Sequence, residues 1–160
     1  MGILGQDAAA KLKTMGFQVA GWSRRPKAVG GVTMHDGAEG LDALVASSDI
    51  VVAMMPLTPD TAGILNASLF SKLPKAEALG GPVLINVGRG GLQNEADILA
   101  ALETGRLGTA VLDVFQTEPL PEDSPLWSHP NVTVTPHNSA ISSPPVFAAY
   151  VAEQIKAHME

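Results

Sequence analysis

Short apolar runs, separated by glycine and proline, set the pattern of this chain. Residues 49–56 form such a run between Asp49 and Pro56, and residues 82–87 repeat it. A continuous apolar run of this length predicts a strand that is covered on both faces, as in a parallel sheet. Further strands are predicted over residues 17–22, 109–114 and 132–135.

Apolar residues at helical spacing alternate with these runs. The first stripe ends at Gly16, a good C-terminal cap, and consists of Leu4, Ala8, Leu12 and Met15. Further helices are predicted around residues 41–45, from the cap residue Asn94 to Gly105, and from Pro144 or Pro145 onward. One face of the last helix carries Phe147, Val151 and Ile155. Strands that alternate with helices, without hairpin signals, predict a parallel α/β sheet with right-handed crossovers.

Composition and charge indicate a globular protein and argue against disordered, nucleic-acid-binding and membrane-spanning classes. Hydrophobic residues make up 46% and charged residues 16% of 160 residues, which excludes a disordered chain. The net charge is -6, and the basic residues never run beyond the pair Arg24 and Arg25, so a nucleic-acid partner is not expected. No apolar stretch approaches the ~20 residues of a membrane span, and the N-terminus lacks signal-peptide zones. We expect a cytoplasmic protein with small-molecule partners, and no metal.

The first residues indicate half of a nucleotide-binding turn. Gly2-Ile3-Leu4-Gly5 opens the first helix and matches the last two glycines of G-x-G-x-x-G, whose first glycine and preceding strand are absent. Gly2 would let the backbone approach a pyrophosphate, and the helix N-terminus supplies free N–H groups. We therefore expect a Rossmann-type doubly wound parallel sheet that lacks its first strand. Alternatively, the two glycines only form a turn before the helix and bind no nucleotide.

The residues after Trp22 favour NADP over NAD. Dinucleotide folds place an acidic residue ~20 residues after the glycines to bind the ribose 2′-hydroxyl. Here the position holds Ser23, followed by Arg24 and Arg25. Arginine pairs bind a 2′-phosphate, which a carboxylate would repel. NADPH is thus the expected cofactor, with NAD possible, and a solvated basic loop is the alternative.

Three predicted strands end in polar side chains. Arg89 lies among glycines in residues 86–91, the carboxylates Asp113 and Glu118 follow the next strand, and His137 ends the last one. Taken singly, each residue fits a surface charge, a loop carboxylate or a strand-end histidine. Together at one sheet edge, a cation for a 2-keto acid and a carboxylate-oriented imidazole suit proton and hydride transfer.

At these residues the chain resembles the D-isomer-specific 2-hydroxyacid dehydrogenases. The resemblance covers nearly the whole chain, and its motifs are Gly2-x-x-Gly5, Pro56-Leu57-Thr58-Pro59-x-Thr61, Asn86-Val87-Gly88-Arg89-Gly90, residues 112–121 and Thr135-Pro136-His137. Residues 21–25 and 125–130 look most like the glyoxylate and hydroxypyruvate reductase A branch.

The resemblance implies roles for the matching residues. Arg89 would bind the substrate carboxylate and polarise the keto oxygen, His137 would be the general acid, and Glu118 would pair with His137. Asp113 would hold the nicotinamide carboxamide. The cofactor would also contact Gly2, Ile3, Leu4, Gly5, Trp22, Ser23, Arg24, Arg25, Pro56, Leu57, Thr58, Thr61, Val87, Gly88, Arg89 and His137.

The family pattern also implies how the chain is organised. Residues 1–160 are expected to be a dinucleotide-binding domain fragment without the substrate domain, inactive in isolation, from an enzyme that is a homodimer when intact. Two alternatives remain at this point. One is a 3-hydroxyacid or imine reductase, and the other is a non-catalytic nucleotide sensor of the corepressor type on the same fold.

Overall fold

A computed structural model describes residues 1–140 and 143–159, and in these ranges parallel strands are flanked by helices. The strands are β1 (Ala20–Ser23), β2 (Thr33–Asp36), β3 (Ile50–Ala53), β4 (Val83–Asn86), β5 (Thr109–Leu112) and β6 (Val132–Val134). The helices are α1 (Ile3–Thr14), α2 (Gly37–Ala46), α3 (Ala67–Phe70), α4 (Glu95–Glu103) and α5 (Pro144–Met159). Short 3₁₀ turns cover Glu77–Leu79, Gly90–Leu92 and Pro125–Trp127.

Every strand pair is parallel, which confirms the predicted α/β class. β1 pairs with β2, and a second sheet has the order β3-β4-β5-β6. In that sheet Ala53 lies opposite Asn86, and Asn86 lies opposite Leu112, so these strands end in register. The loops after β3, β4, β5 and β6 therefore leave from the same edge of the sheet, where parallel α/β proteins bind ligands.

The hydrophobic core lies between the four-stranded sheet and α4. Leu84 on β4, Leu112 on β5 and Ile98 on α4 are fully buried. The prediction for α4 is confirmed, since the Asn94 side chain accepts a hydrogen bond from the Asp97 backbone and caps the helix. This packing gives the strand-end loops a rigid support.

The structure corrects one strand prediction and adds one strand that was not predicted. The strand predicted over residues 17–22 begins only at Ala20, and Phe17 is exposed. β2 was not predicted at all, because its residues Thr33–Asp36 are mostly polar and form no apolar run. Its strand structure depends on pairing with β1, which is information that a local pattern does not contain.

Several apolar residues that the sequence pattern predicts to be buried are exposed. The run at residues 49–56 is not covered on both faces, because Ile50 and Val52 share an exposed face of β3. In α1 the buried residue is Ala9, whereas Leu4 of the predicted stripe is exposed. No described residue of α5 is buried, so its apolar face is exposed as well. None of the described helices is both long and apolar enough to cross a bilayer.

Candidate active site

Arg89 extends from the end of β4 at the edge of the sheet. Its backbone is extended, its side chain is exposed, and its guanidinium donates a hydrogen bond to the Gly88 carbonyl at 2.6 Å. The Gly88 N–H in turn donates to the Asn86 side chain at 3.0 Å. A guanidinium with one anchored nitrogen keeps other donors available for an anion.

The loop after β4 touches the loop after β5 directly. A Cβ built on Gly90 would lie 1.7 Å from the Phe115 carbonyl oxygen, so no other residue fits at this position. A Cβ on Gly88 would likewise come within 2.9 Å of the Met55 carbonyl oxygen. The glycines beside Arg89 thus let neighbouring strand ends approach backbone to backbone.

Glu118 and His137 form a hydrogen-bonded pair. His137 Nδ1 lies 2.8 Å from Glu118 Oε2, and Glu118 Oε1 accepts the Phe115 N–H at 3.0 Å. The hydrogen bond with His137, then that with Phe115, and also the charges of His137 and Arg89 lower the pKa of Glu118 below its ordinary value. An ionised carboxylate only accepts hydrogen bonds, so Nδ1 of His137 carries the proton and Nε2 is left for a ligand.

His137 has an unusual backbone conformation. Its φ of 52° lies in the left-handed region, which few residues other than glycine adopt. Such a conformation persists where the surroundings hold it, and it is most frequent at functional sites. The neighbouring residues show what holds it here.

Asp113, at the end of β5, holds the turn that carries His137. One of its carboxylate oxygens accepts Thr135 Oγ1 at 2.5 Å and the Asn138 N–H at 3.0 Å, and the other accepts the Ser139 N–H at 3.0 Å and Ser139 Oγ at 2.6 Å. The carboxylate is buried among these partners. Its sequence-based assignment to the nicotinamide carboxamide stays a prediction, while its contacts make it an anchor for the turn.

Burial alone would raise the pKa of Asp113, but the hydrogen bonds from Ser139, Thr135 and Asn138 outweigh burial and lower the pKa from 3.8 to about 2. A depressed carboxylate pKa contributes stability above pH ~4 that is lost as the pH falls toward 2. We expect Asp113→Asn to destabilise the full-length protein by about 2–3 kcal/mol at pH 7. Both oxygens of Asp113 accept hydrogen bonds, and in asparagine an NH2 group, which cannot accept one, replaces one of them. The loss should shrink below pH ~4.

Urea unfolding between pH 2 and pH 7 measures this prediction. The matched control is Asp123→Asn, since Asp123 is an exposed carboxylate. Equal unfolding free energies for wild type and Asp113→Asn at pH 7 would contradict the anchoring role of Asp113.

The segments assigned to the cofactor lie at the ends of α1 and β1. α1 begins after Gly2 with no side-chain cap and no acidic residue in its first turn, and nothing lies within 4 Å of a Cβ built on Gly2. Trp22 Nε1 donates to the Gly37 carbonyl at 2.7 Å. An uncapped helix N-terminus with open space at its glycine fits an anion such as a pyrophosphate.

The basic loop after β1 is partly engaged within the chain. Arg24 forms an ion pair with Asp60, and both side chains are well exposed. Ser23 Oγ donates to the Arg25 carbonyl at 2.8 Å, while the exposed Arg25 guanidinium has no hydrogen bond or ion pair among the described residues. Asp60 gave no signal in the sequence, because its contact with Arg24 joins two distant loops.

The loop after β3 has an internal support. Thr61 is buried, and its hydroxyl accepts the Thr58 N–H at 2.8 Å and donates to the Pro56 carbonyl at 2.9 Å. Leu57 is exposed beside Gly91. In this structure the Thr61 hydroxyl shapes the loop, and the assignment of Leu57 and Thr61 to the cofactor stays a prediction.

A family model described as "D-isomer specific 2-hydroxyacid dehydrogenase, NAD binding domain" matches residues 1–139. This chain belongs to the D-isomer specific 2-hydroxyacid dehydrogenases. The membership confirms the resemblance and decides against the 3-hydroxyacid or imine reductase alternative, which is a different family. It also confirms the Rossmann-like class of the parallel sheet.

Two curated relatives of this 2-hydroxyacid dehydrogenase chain are named glyoxylate/hydroxypyruvate reductase A. It is 46% identical over 156 residues to the glyoxylate/hydroxypyruvate reductase A of Yersinia enterocolitica, and the match covers 98% of this chain and 48% of that protein. The chain thus spans about half the length of the curated relatives that it matches.

Solved structures agree with this relationship. The NADPH-dependent glyoxylate/hydroxypyruvate reductase of Sinorhizobium meliloti, in complex with NADP and sulfate, is 52% identical with a TM-score of 0.92, covering 99% of this chain and 50% of that one. A probable 2-hydroxyacid dehydrogenase of Rhizobium etli, in complex with NADP, HEPES and L(+)-tartaric acid, is 51% identical with a TM-score of 0.91, covering 99% and 50%.

Proposed function

We propose that this chain supplies the cofactor-binding domain of an NADPH-dependent reductase of small 2-keto acids, with glyoxylate and hydroxypyruvate as the substrates. The observation that carries the proposal is the Glu118–His137 pair next to Arg89 at one edge of a Rossmann-like sheet. The relatives named above support the choice of substrates and cofactor. We further propose a cytoplasmic homodimer, whose oligomeric state size-exclusion chromatography of the full-length protein would test.

In this proposal three side chains have separate roles in the reduction of the keto acid. Arg89 binds the substrate carboxylate and polarises the keto oxygen through planar, paired donors. His137 donates a proton from Nε2 to the keto oxygen as the carbonyl is reduced. Ionised Glu118 holds the Nδ1 proton, which orients the ring and stabilises the imidazolium before transfer.

The cofactor fits the donor set of the described residues. Its pyrophosphate would lie at the N-terminus of α1, where Gly2 leaves open space. Ser23 in place of a carboxylate, with Arg25 beside it, suits a 2′-phosphate. When bound, NADPH supplies the hydride that reduces the carbonyl carbon.

Replacing both Arg24 and Arg25 by alanine in the full-length protein should weaken NADPH binding by about 10- to 150-fold, with little effect on NADH. Arg25→Ala alone should account for most of this loss, because Arg24 is already paired with Asp60. Fluorescence titration with the two cofactors measures the dissociation constants. Lys75→Ala is the control, since Lys75 lies outside the site. Equal losses for NADPH and NADH would contradict 2′-phosphate recognition.

Steady-state assays of the full-length protein with glyoxylate and hydroxypyruvate test the activity. We expect turnover with NADPH for both acids and slower turnover with NADH. Tight NADPH binding without turnover of any 2-keto acid would instead favour the nucleotide sensor.

A further inference from the structure

Two primary amides are buried beneath the proposed active site. Asn86 ends β4 and Gln93 follows the next 3₁₀ turn, and their exposures are 0% and 1%. Neither residue has a place in the reaction proposed above. Buried amides are costly unless every donor and acceptor is satisfied, so their partners show what they do.

Asn86 binds the loop that carries Arg89. Its Oδ1 accepts the Gly88 N–H at 3.0 Å, and its Nδ2 donates to the Arg89 carbonyl at 3.1 Å and to Gln93 Oε1 at 2.8 Å. Both amide hydrogens and the oxygen are therefore used. Gln93 fixes the orientation of the Asn86 amide by accepting one of its hydrogens.

Gln93 then binds the loop after β5. Its Nε2 donates to the Val114 carbonyl at 3.0 Å and to Glu95 Oε1 at 3.4 Å. The same Glu95 oxygen accepts the Gln116 N–H at 2.7 Å. Gln93 thus joins the loop of Arg89 to residues 114–116.

Residues 114–116 lead directly to the Glu118–His137 pair. The Phe115 N–H, between the two anchored residues, donates to Glu118 Oε1. A continuous hydrogen-bonded path therefore runs from the Arg89 backbone through Asn86 and Gln93 to the backbone that holds Glu118. The described residues contain no buried polar side-chain atom without a partner, so this path is fully satisfied.

We propose that Gln93 is a positioning residue, which sets Arg89 and the Glu118–His137 pair in their relative places. This inference rests on the proposed function. An apolar side chain of similar length would fill the same space, but it would leave an Asn86 hydrogen and the Val114 carbonyl without their partner. The loop that carries Arg89 and residues 114–116 would then lose the hydrogen bonds that join them.

The test is Gln93→Met in the full-length protein, which keeps side-chain length and removes the hydrogen bonds. We expect kcat/KM for glyoxylate to fall by about 10- to 100-fold, since small misplacements of reacting groups carry such costs. The dissociation constant of NADPH should not change. Hydrogen–deuterium exchange should become faster in residues 87–90 and 114–118 and stay unchanged elsewhere.

Two further variants keep the test decisive. Ile98→Val is the control, because Ile98 is fully buried in α4 and its loss of a methyl group destabilises the core without touching the path. It should leave kcat/KM and exchange in both segments as in wild type. Should Gln93→Met fail to fold, Glu95→Ala breaks the half-buried end of the path, and it should lower kcat/KM and speed exchange around residue 116.

The outcomes separate this inference from the proposed function. Wild-type exchange and wild-type kcat/KM in a folded Gln93→Met, or in Glu95→Ala if Gln93→Met does not fold, would overturn it. If the wild-type protein reduces no 2-keto acid, the proposed function fails. The exchange of the two segments then still decides whether Gln93 positions them.

Discussion

Replacing His137 by alanine in the full-length protein is expected to lower kcat for glyoxylate by about 10²–10⁴-fold, the range that positioned proton transfer contributes. The reason is that no other described group takes the place of an imidazole held by Glu118 at 2.8 Å. NADPH affinity should fall far less than kcat, because His137 is only one of many predicted cofactor contacts but the one predicted proton donor.

Steady-state kinetics with NADPH in excess measure this effect. His158→Ala is the matched control, since His158 is exposed near the end of α5. A His137→Ala enzyme with wild-type kcat would show that the imidazole is not the proton donor. A loss of the same size in His158→Ala would also contradict the assignment.

Arg89→Lys is expected to lower kcat/KM by about 10- to 150-fold, chiefly through a higher KM for the keto acid. An ammonium keeps the charge but cannot reproduce the planar, two-point contact of a guanidinium with a carboxylate. It also cannot keep one nitrogen on the Gly88 carbonyl while others bind the substrate.

Arg106→Lys is the control for Arg89→Lys. Arg106 donates to the carbonyls of Phe70 and Leu73, so its replacement disturbs a loop remote from the proposed substrate contacts. KM should stay at the wild-type value in this control. An unchanged KM in Arg89→Lys would mean that the carboxylate of the substrate is bound elsewhere.

The sequence predicts those elements of the fold that depend on residues close together in the chain. The apolar runs that became β4 and β5 are buried by their own composition, and Asn94 caps α4 through its own side chain. β2 was missed because its polar residues become a strand only beside β1. Ile50 was predicted to be buried because residues 49–56 form an apolar run. In the described part of the chain, however, one face of β3 is exposed.

The same distinction holds for the candidate site. Arg89, Glu118 and His137 could be chosen from the sequence because parallel strands deliver their ends to one edge. The anchoring of the His137 turn by Asp113 and the role of Gln93 could not, since both depend on hydrogen bonds between segments far apart in the chain. Gln93 lies between Leu92 and the polar residues Asn94 and Glu95, so the local sequence carries no signal of its burial.

Transfer of deuterium from NADPH that carries deuterium at both C4 positions of the nicotinamide tests the proposed hydride transfer most directly. The full-length protein is incubated with this cofactor and hydroxypyruvate, and the product is analysed by mass spectrometry and chiral chromatography. Hydride transfer to the keto carbon predicts D-glycerate with one deuterium at C2. Unlabelled glycerate, the L-isomer, or no product at all would contradict D-specific hydride transfer from NADPH to the keto acid.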